Sequence, residues 1–184
     1  MAFTIMGIAG SLRKKSYNRA ALRAAQELVP PGVELKLFDL EGLPFFNQDD
    51  ENNPGEKVTE FKAAIRAADA ILLVTPEYNY STSGVLKNAI DCASRPYGDN
   101  AWRGKPVALM GASMGTLGTA RAQYHLRQMF VFLDMHPLNQ LEVMIAAAHE
   151  KFDANGNLTH ERTRELMRNQ LEALVKWSAK INMP

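Results

Sequence analysis

At 184 residues the chain has the length of one domain rather than two, and a body of that size buries about 70% of its unfolded surface without disulfides or metals. Hydrophobic residues make up 46% and charged residues 22%, which excludes a disordered or fibrous chain. Lys and Arg total 21 against 20 Asp and Glu, so no global field of either sign draws the protein toward nucleic acid or an anionic membrane.

Cys92 is the lone cysteine, so no intramolecular disulfide can form, and it has no Cys or His neighbour at metal-ligand spacing. A reducing, cytoplasmic setting is expected. Met1 to Gly10 has no positive segment ahead of its apolar run and does not read as a signal peptide. No stretch reaches the ~20 apolar residues of a membrane span, so a soluble protein is expected.

Phe3 to Ala9 is a nearly continuous apolar run that reads as a central parallel strand covered on both faces. Asn18 to Leu28 carries Ala20, Ala21, Leu22, Ala24, Ala25 and Leu28 at helical spacing, and Pro30, Pro31 and Gly32 stop it. In Val33 to Phe38, apolar Val33, Leu35 and Leu37 alternate with Glu34 and Lys36, the pattern of an edge strand with one wet face. Glu41 to Gly55 reads as a loop with Phe45 and Phe46 as anchors, and Glu56 to Ala68 as a helix. Ala70 to Val74 (AILLV) is the clearest buried strand.

A loop over Thr75 to Gly84 then leads to a helix over Val85 to Ala93, and Lys105 to Met110 reads as a strand. A second glycine-rich loop follows, Gly111 to Gly118, then a helix over Ala120 to Leu133. A weaker strand over Leu141 to Ile145 and a long helix over Thr159 to Ile181 complete the chain. Strictly alternating strands and helices predict one α/β domain over residues 1–184. Its parallel sheet has helices on both faces, because right-handed crossovers place them there. An edge strand in second position fits the order 2-1-3-4-5, the flavodoxin-like three-layer sandwich.

Ligands of such sheets sit beyond the carboxyl ends of the strands, where the strand order reverses. Three loops converge there: Gly10 to Asn18, Thr75 to Gly84 and Gly111 to Gly118. The first leads straight into a helix, whose free N–H groups and positive dipole end suit a phosphate. Ser11, Ser16 and Asn18 add hydrogen-bonding side chains and Arg13 a charge-assisted contact. Ser16 or Asn18 also serves as an ordinary helix cap, and capping is compatible with phosphate binding. The dinucleotide fingerprint GxGxxG and the P-loop are both absent after the first strand, which favours a mononucleotide.

The segments GSLRKKSYN (10–18), TPEYNYSTSGVLKNAIDCASRP (75–96) and GASMGTLGTARAQYHLRQ (111–128) resemble the NADPH-dependent FMN reductase family. Within it they are most like the quinone-, azo-dye- and chromate-reducing members. The resemblance implies that Ser11, Arg13, Ser16, Tyr17 and Asn18 hold an FMN phosphate. It further implies that Pro76, Glu77, Tyr78, Asn79 and Tyr80, with Ser113, Met114 and Gly115, flank the flavin ring. Physically, Pro76 stiffens the start of its loop, and backbone N–H groups of Glu77, Tyr78 and Asn79 can approach the polar edge of the ring. Tyr78 and Tyr80 can pack beside ring or substrate. Gly111, Gly115 and Gly118 let the third loop come close, having no Cβ.

The implied activity is ping-pong: NADPH or NADH reduces bound FMN, and a quinone, azo compound, free flavin or metal ion such as chromate then takes the electrons. No catalytic side chain is assigned, since solvent or flavin can supply the proton; Glu77 and Asp91 are the available donors. The alternative is a flavodoxin-like electron carrier that docks proteins and does not turn over NAD(P)H. The balanced charge and the loop cations Arg13, Lys14 and Lys15 favour the enzyme. His125, His136, His149 and His160 are scattered, and Asp153 breaks the HExxH pattern begun by His149, so no metal site is expected. By resemblance, Tyr80, Arg121, Tyr124 and Glu142 lie near subunit contacts. Met129 to Leu133 is apolar beyond one helix stripe, so a homodimer or dimer of dimers is expected, acting on a small-molecule acceptor.

Overall fold

The computed structural model describes residues 2–181; Met1 and residues 182–184, which the single-domain expectation includes, lie outside them. Along the chain run β1 (Phe3–Ala9), α1 (Tyr17–Leu28), β2 (Val33–Phe38), α2 (Glu56–Ala67), β3 (Ala70–Val74), α3 (Gly84–Ser94) and β4 (Pro106–Ala112). They are followed by α4 (Ala120–Leu133), β5 (His136–Pro137), β6 (Val143–Ile145) and α5 (Glu161–Ile181). Among the described residues every pairing within the sheet is parallel, in the order β2-β1-β3-β4, and β5 and β6 both pair with the far side of β4. This is the expected 2-1-3-4-5 order, with the fifth place divided between two short segments.

The period-2 alternation of the strands builds two cores from one sheet. On β3, Ala70, Leu72 and Val74 join the cluster under α1 and α5, while Ile71 and Leu73 join the one under α2, α3 and α4. All five are fully buried, and each large side chain among them stabilises the fold by about 1.5–3 kcal/mol. Beyond α3 the chain is anchored by Trp102, fully buried with its indole N–H donating to the Ile90 carbonyl at 3.1 Å. Buried Lys62 reinforces the anchor by donating to the Arg95 carbonyl and to the Asp99 carboxylate.

Two of the shifted sequence boundaries involve β6. β4 extends through Gly111 and Ala112, expected as loop, because β6 supplies a partner: Gly111 lies opposite Met144 and Ala112 opposite Ile145. The strand expected over Leu141 to Ile145 begins only at Val143. The chain bulges outward between Pro137 and Val143, and Leu141 takes a left-handed φ of 66°.

That gap leaves β4 without a strand neighbour at Leu109 on the side away from β3. Gln170, buried on α5, fills the gap: its amide NH2 donates to the carbonyls of Leu109 at 2.8 Å and Leu141 at 2.6 Å. Replacing it with the similarly shaped Met leaves both carbonyls without this donor. We expect Gln170→Met to cost about 1–3 kcal/mol in urea unfolding, the usual penalty for stranding a buried polar group. An unchanged midpoint would show that the bulge does not depend on this contact.

Candidate functional site

The carboxyl ends of β1, β3 and β4 open into a cavity of about 220 Å³, lined by Arg13, Ser16, Tyr17 and Asn18, by Pro76, Glu77 and Tyr78, and by Ala112, Ser113 and Met114. Side chains from all three expected loops therefore face one space. The first loop folds back on itself: the Ser16 N–H donates to the Arg13 carbonyl at 3.0 Å, and the Arg13 N–H to Ser11 Oγ at 3.4 Å. Ser16 caps α1, its Oγ accepting from the N–H groups of Asn18 and Arg19, so the capping role is real. The N–H groups of Leu12, Lys14, Lys15 and Tyr17 have no protein acceptor among the described residues. Open donors in a loop that leads into a helix N-terminus suit an anion. Tyr17 packs on Phe152 with ring centroids 5.4 Å apart, and the Arg13 guanidinium lies 5.9 Å from the Tyr17 ring.

Asn18 does something different from direct phosphate contact. Its amide NH2 donates to the Ala112 carbonyl at 2.9 Å while its carbonyl accepts from the Ala112 N–H at 2.8 Å. This buried pair fixes the first loop to the end of β4 as a strand neighbour would. Ser83, the N-cap of α3, makes the matching tie to the second loop, its hydroxyl donating to the Gly10 carbonyl at 2.6 Å. The third loop is held by the segment after β6: the Ala147 N–H donates to the Gly115 carbonyl and the Ala148 N–H to the Ser113 carbonyl.

In the second loop, Tyr78 and Ser81 exchange backbone hydrogen bonds at 2.9 and 3.0 Å across a tight turn. Its central residues, Asn79 and Tyr80, both have positive φ, 49° and 67°. Asn tolerates that region; Tyr does so only when its surroundings hold it there, at about 1–3 kcal/mol of strain. The Tyr78 N–H is consumed by the turn, so it is not available to a flavin as the sequence suggested. The N–H groups of Glu77 and Asn79 remain without protein acceptors among the described residues.

Glu77 is not placed as a proton donor. Its side chain is 6% exposed and its carboxylate accepts from the Arg121 and Ala122 N–H groups, at 3.0 and 3.2 Å, and pairs with the Arg121 guanidinium. It thereby caps α4, whose own N-cap residue Thr119 makes no capping hydrogen bond. The same carboxylate raises the Arg121 pKa above its ordinary value. Asp91 lies along α3 in an ion pair with Lys87.

The glycines of the third loop divide by cause. A Cβ on Gly111 would collide with Thr119 and the Thr75 carbonyl, and Gly118 has a φ of 62° against Met144. Their reason is internal packing, whereas Gly115 meets no protein atom closer than 3.7 Å and leaves room at the cleft. Tyr78 and Met114 line the cleft and stand exposed, and Tyr80 and Leu117 are exposed on the same loops. Cys92 lies outside this cleft on α3, where burial raises its pKa and leaves it a poor nucleophile.

The family model described as NADPH-dependent FMN reductase matches residues 3–150, which include all three loops. The chain belongs to the NADPH-dependent FMN reductase family. It is 56% identical over 174 residues to an NAD(P)H-dependent FMN reductase of Pseudomonas aeruginosa, covering 94% of each chain. To a 2-hydroxy-1,4-benzoquinone reductase of a Burkholderia species it is 42% identical, covering 96% of this chain and 97% of the relative. Among solved structures, the FerB flavoenzyme NAD(P)H:(acceptor) oxidoreductase of Paracoccus denitrificans superposes with a TM-score of 0.90 at 36% identity. The match spans 98% of this chain and 100% of that one.

Against this reductase family, the sequence reading found the three loops but missed the residues that bind them together. Ser83 was legible as a Ser directly ahead of a helix. His125, treated as scattered, lies with Nδ1 3.0 Å from Ser81 Oγ, a contact with no local sequence signal. The Asn18–Ala112 pair spans 94 positions and had none either. We expect Asn18→Ala to strand the Ala112 N–H and carbonyl, at about 1–3 kcal/mol each, and to lower the melting temperature clearly. Asn18→Asp keeps the acceptor for the Ala112 N–H but sets a second acceptor against the Ala112 carbonyl, so it too is expected to melt below the parent; equal melting of all three proteins would contradict this reading of the clamp.

Proposed function

We propose that this chain is an FMN-dependent NAD(P)H oxidoreductase acting on small quinones. The observation that carries the reading is the cleft shared by all three loops, with N–H donors that have no protein acceptor in the loop that leads into α1 beside it. These residues fit a flavin phosphate: the donors point from a helix N-terminus, Ser11 and Ser16 bring hydroxyls, and Arg13 brings charge. The phosphate would be held by that loop, and the ring flanked by Pro76 to Tyr80 and by Ser113, Met114 and Gly115. When bound, FMN supplies hydride acceptance from NADPH or NADH and electron delivery to the acceptor.

The chain's own work is binding and orientation. The N–H groups of Glu77 and Asn79 are free to donate to the ring edge, and electron density added there on reduction strengthens those bonds. Tyr78 and Met114 line the cleft and stand exposed, with Tyr80 and Leu117 exposed on the same two loops, which suits a flat, weakly polar acceptor such as the quinones named for the relatives. Azo compounds, free flavin and oxidised metal ions such as chromate fall within the same reading, because an open rim is permissive.

The reading treats residues 1–184 as one functional domain in the cytoplasm, consistent with a single buried thiol and with no described helix long and apolar enough to cross a membrane. It takes the working form to be a homodimer or dimer of dimers. On α4, Phe130 and Leu133 are buried, but Val131 and Phe132 are 84% and 77% exposed. Phe132 also edges a groove of about 450 Å³ with Met129, Tyr97 and Ile90, which a second copy would cover. Tyr80 with Arg121, and Tyr124 with Glu142, form two intrachain pairs at α4 that the subunit contact would join.

Adding NADPH, and separately NADH, to the FMN-loaded protein without oxygen is expected to bleach its visible flavin absorbance within seconds. A later addition of 1,4-benzoquinone should restore it. Absorbance that persists with both nicotinamides would assign the chain to electron carriers instead.

A further inference from the structure

Arg121 and His125 sit one turn apart on the same face of α4, and both reach the second loop of the cleft. Three contacts meet there. The Arg121 guanidinium pairs with Glu77 just before the tight turn. The same guanidinium lies 3.6 Å from the centroid of the Tyr80 ring, at the left-handed residue of the turn. His125 Nδ1 is 3.0 Å from Ser81 Oγ, just after it.

The turn therefore has a grip before, at and behind its least favourable residue, and every grip comes from α4. We propose that Arg121 and His125 are positioning residues that hold the Tyr78–Ser81 turn so that the Glu77 and Asn79 N–H groups face the flavin, and that they thereby set its reduction potential. This inference rests on the flavin reading given above. Its physical content is the coupling of two facts. A bulky side chain at positive φ persists only where its surroundings over-determine it. The donors that would favour added charge on the ring are the backbone N–H groups of Glu77, directly before the turn, and of Asn79 within it. Releasing the turn would break the Tyr78–Ser81 hydrogen bonds and free the Tyr78–Asn79 peptide, which carries the Asn79 N–H, while losing the Arg121 contact would loosen Glu77 beside it, without removing any group that touches the cofactor.

The test compares Arg121→Ala, Arg121→Lys, His125→Ala and His125→Asn with the parent protein. In the flavin-free proteins, amide hydrogen exchange at Tyr78 and Ser81, which are bonded across the turn, should rise about tenfold or more in the Ala variants while Leu72 of β3 is unchanged. In the FMN-loaded proteins, the two-electron potential should fall by about 30 mV, a tenfold weaker hold on reduced relative to oxidised cofactor. The turnover number should fall while KM for the nicotinamide stays within about twofold. His125→Asn, which can still hydrogen-bond Ser81, should restore exchange and potential, and Arg121→Lys, which keeps the charge, guards against a variant that simply fails to fold.

Parent-like exchange and potential in both Ala variants would overturn the proposal. So would a lower melting temperature with an unshifted potential, since that is the mark of a purely structural contact. Failure of the parent apoprotein to take up FMN would sink the flavin reading instead, and the exchange measurement alone would then decide whether α4 holds the turn.

Discussion

The two hydrogen bonds between the Asn18 amide and the Ala112 backbone hold the first and third loops of the cleft at a fixed separation. Ser83 does the same for the first and second through the Gly10 carbonyl. A parallel sheet gives its loops a common rim but nothing that joins them, because each loop leaves its strand toward a different helix. Side chains that mimic backbone partners supply the missing links. Glu77 extends the principle by capping a helix to which its own loop is not connected in sequence. The cleft is thus a single body built from segments up to 94 residues apart.

With the loops tied in this way, the distribution of unpaired donors becomes informative. Donors that the protein leaves open along a cleft are available to a ligand there. Here they gather at the start of α1 and on the turn after β3. The first group suits an anion and the second the polar edge of a ring that gains charge on reduction. The third-loop glycines serve two separate ends, internal crowding at Gly111 and open space at Gly115.

Much of this was legible in the sequence because it is local. The apolar run of β3, the alternation of β2 and the Pro30–Pro31 stop each report their own element, and strictly alternating elements limit the topology to a few choices. The loops stood out by composition. What escaped detection depends on partners remote in the chain. Gly111 and Ala112 read as loop because nothing nearby reveals that β6 will pair with them. The break between β5 and β6 escaped because Gln170, which fills it, looks like any polar residue on an amphipathic helix. Glu77 looked like an acid at a flavin edge, and only its burial against the start of α4 shows it to be a cap.

The central claim is that the donor-rich start of α1 receives the phosphate of FMN. It is tested most directly by titrating the apoprotein with FMN and with riboflavin, which differ only in that phosphate. Stoichiometric uptake of FMN, with riboflavin about 100-fold weaker, is expected from one or two charge-assisted hydrogen bonds of about 1.5–3 kcal/mol each. Equal affinity for the two, or uptake of neither, would contradict the account.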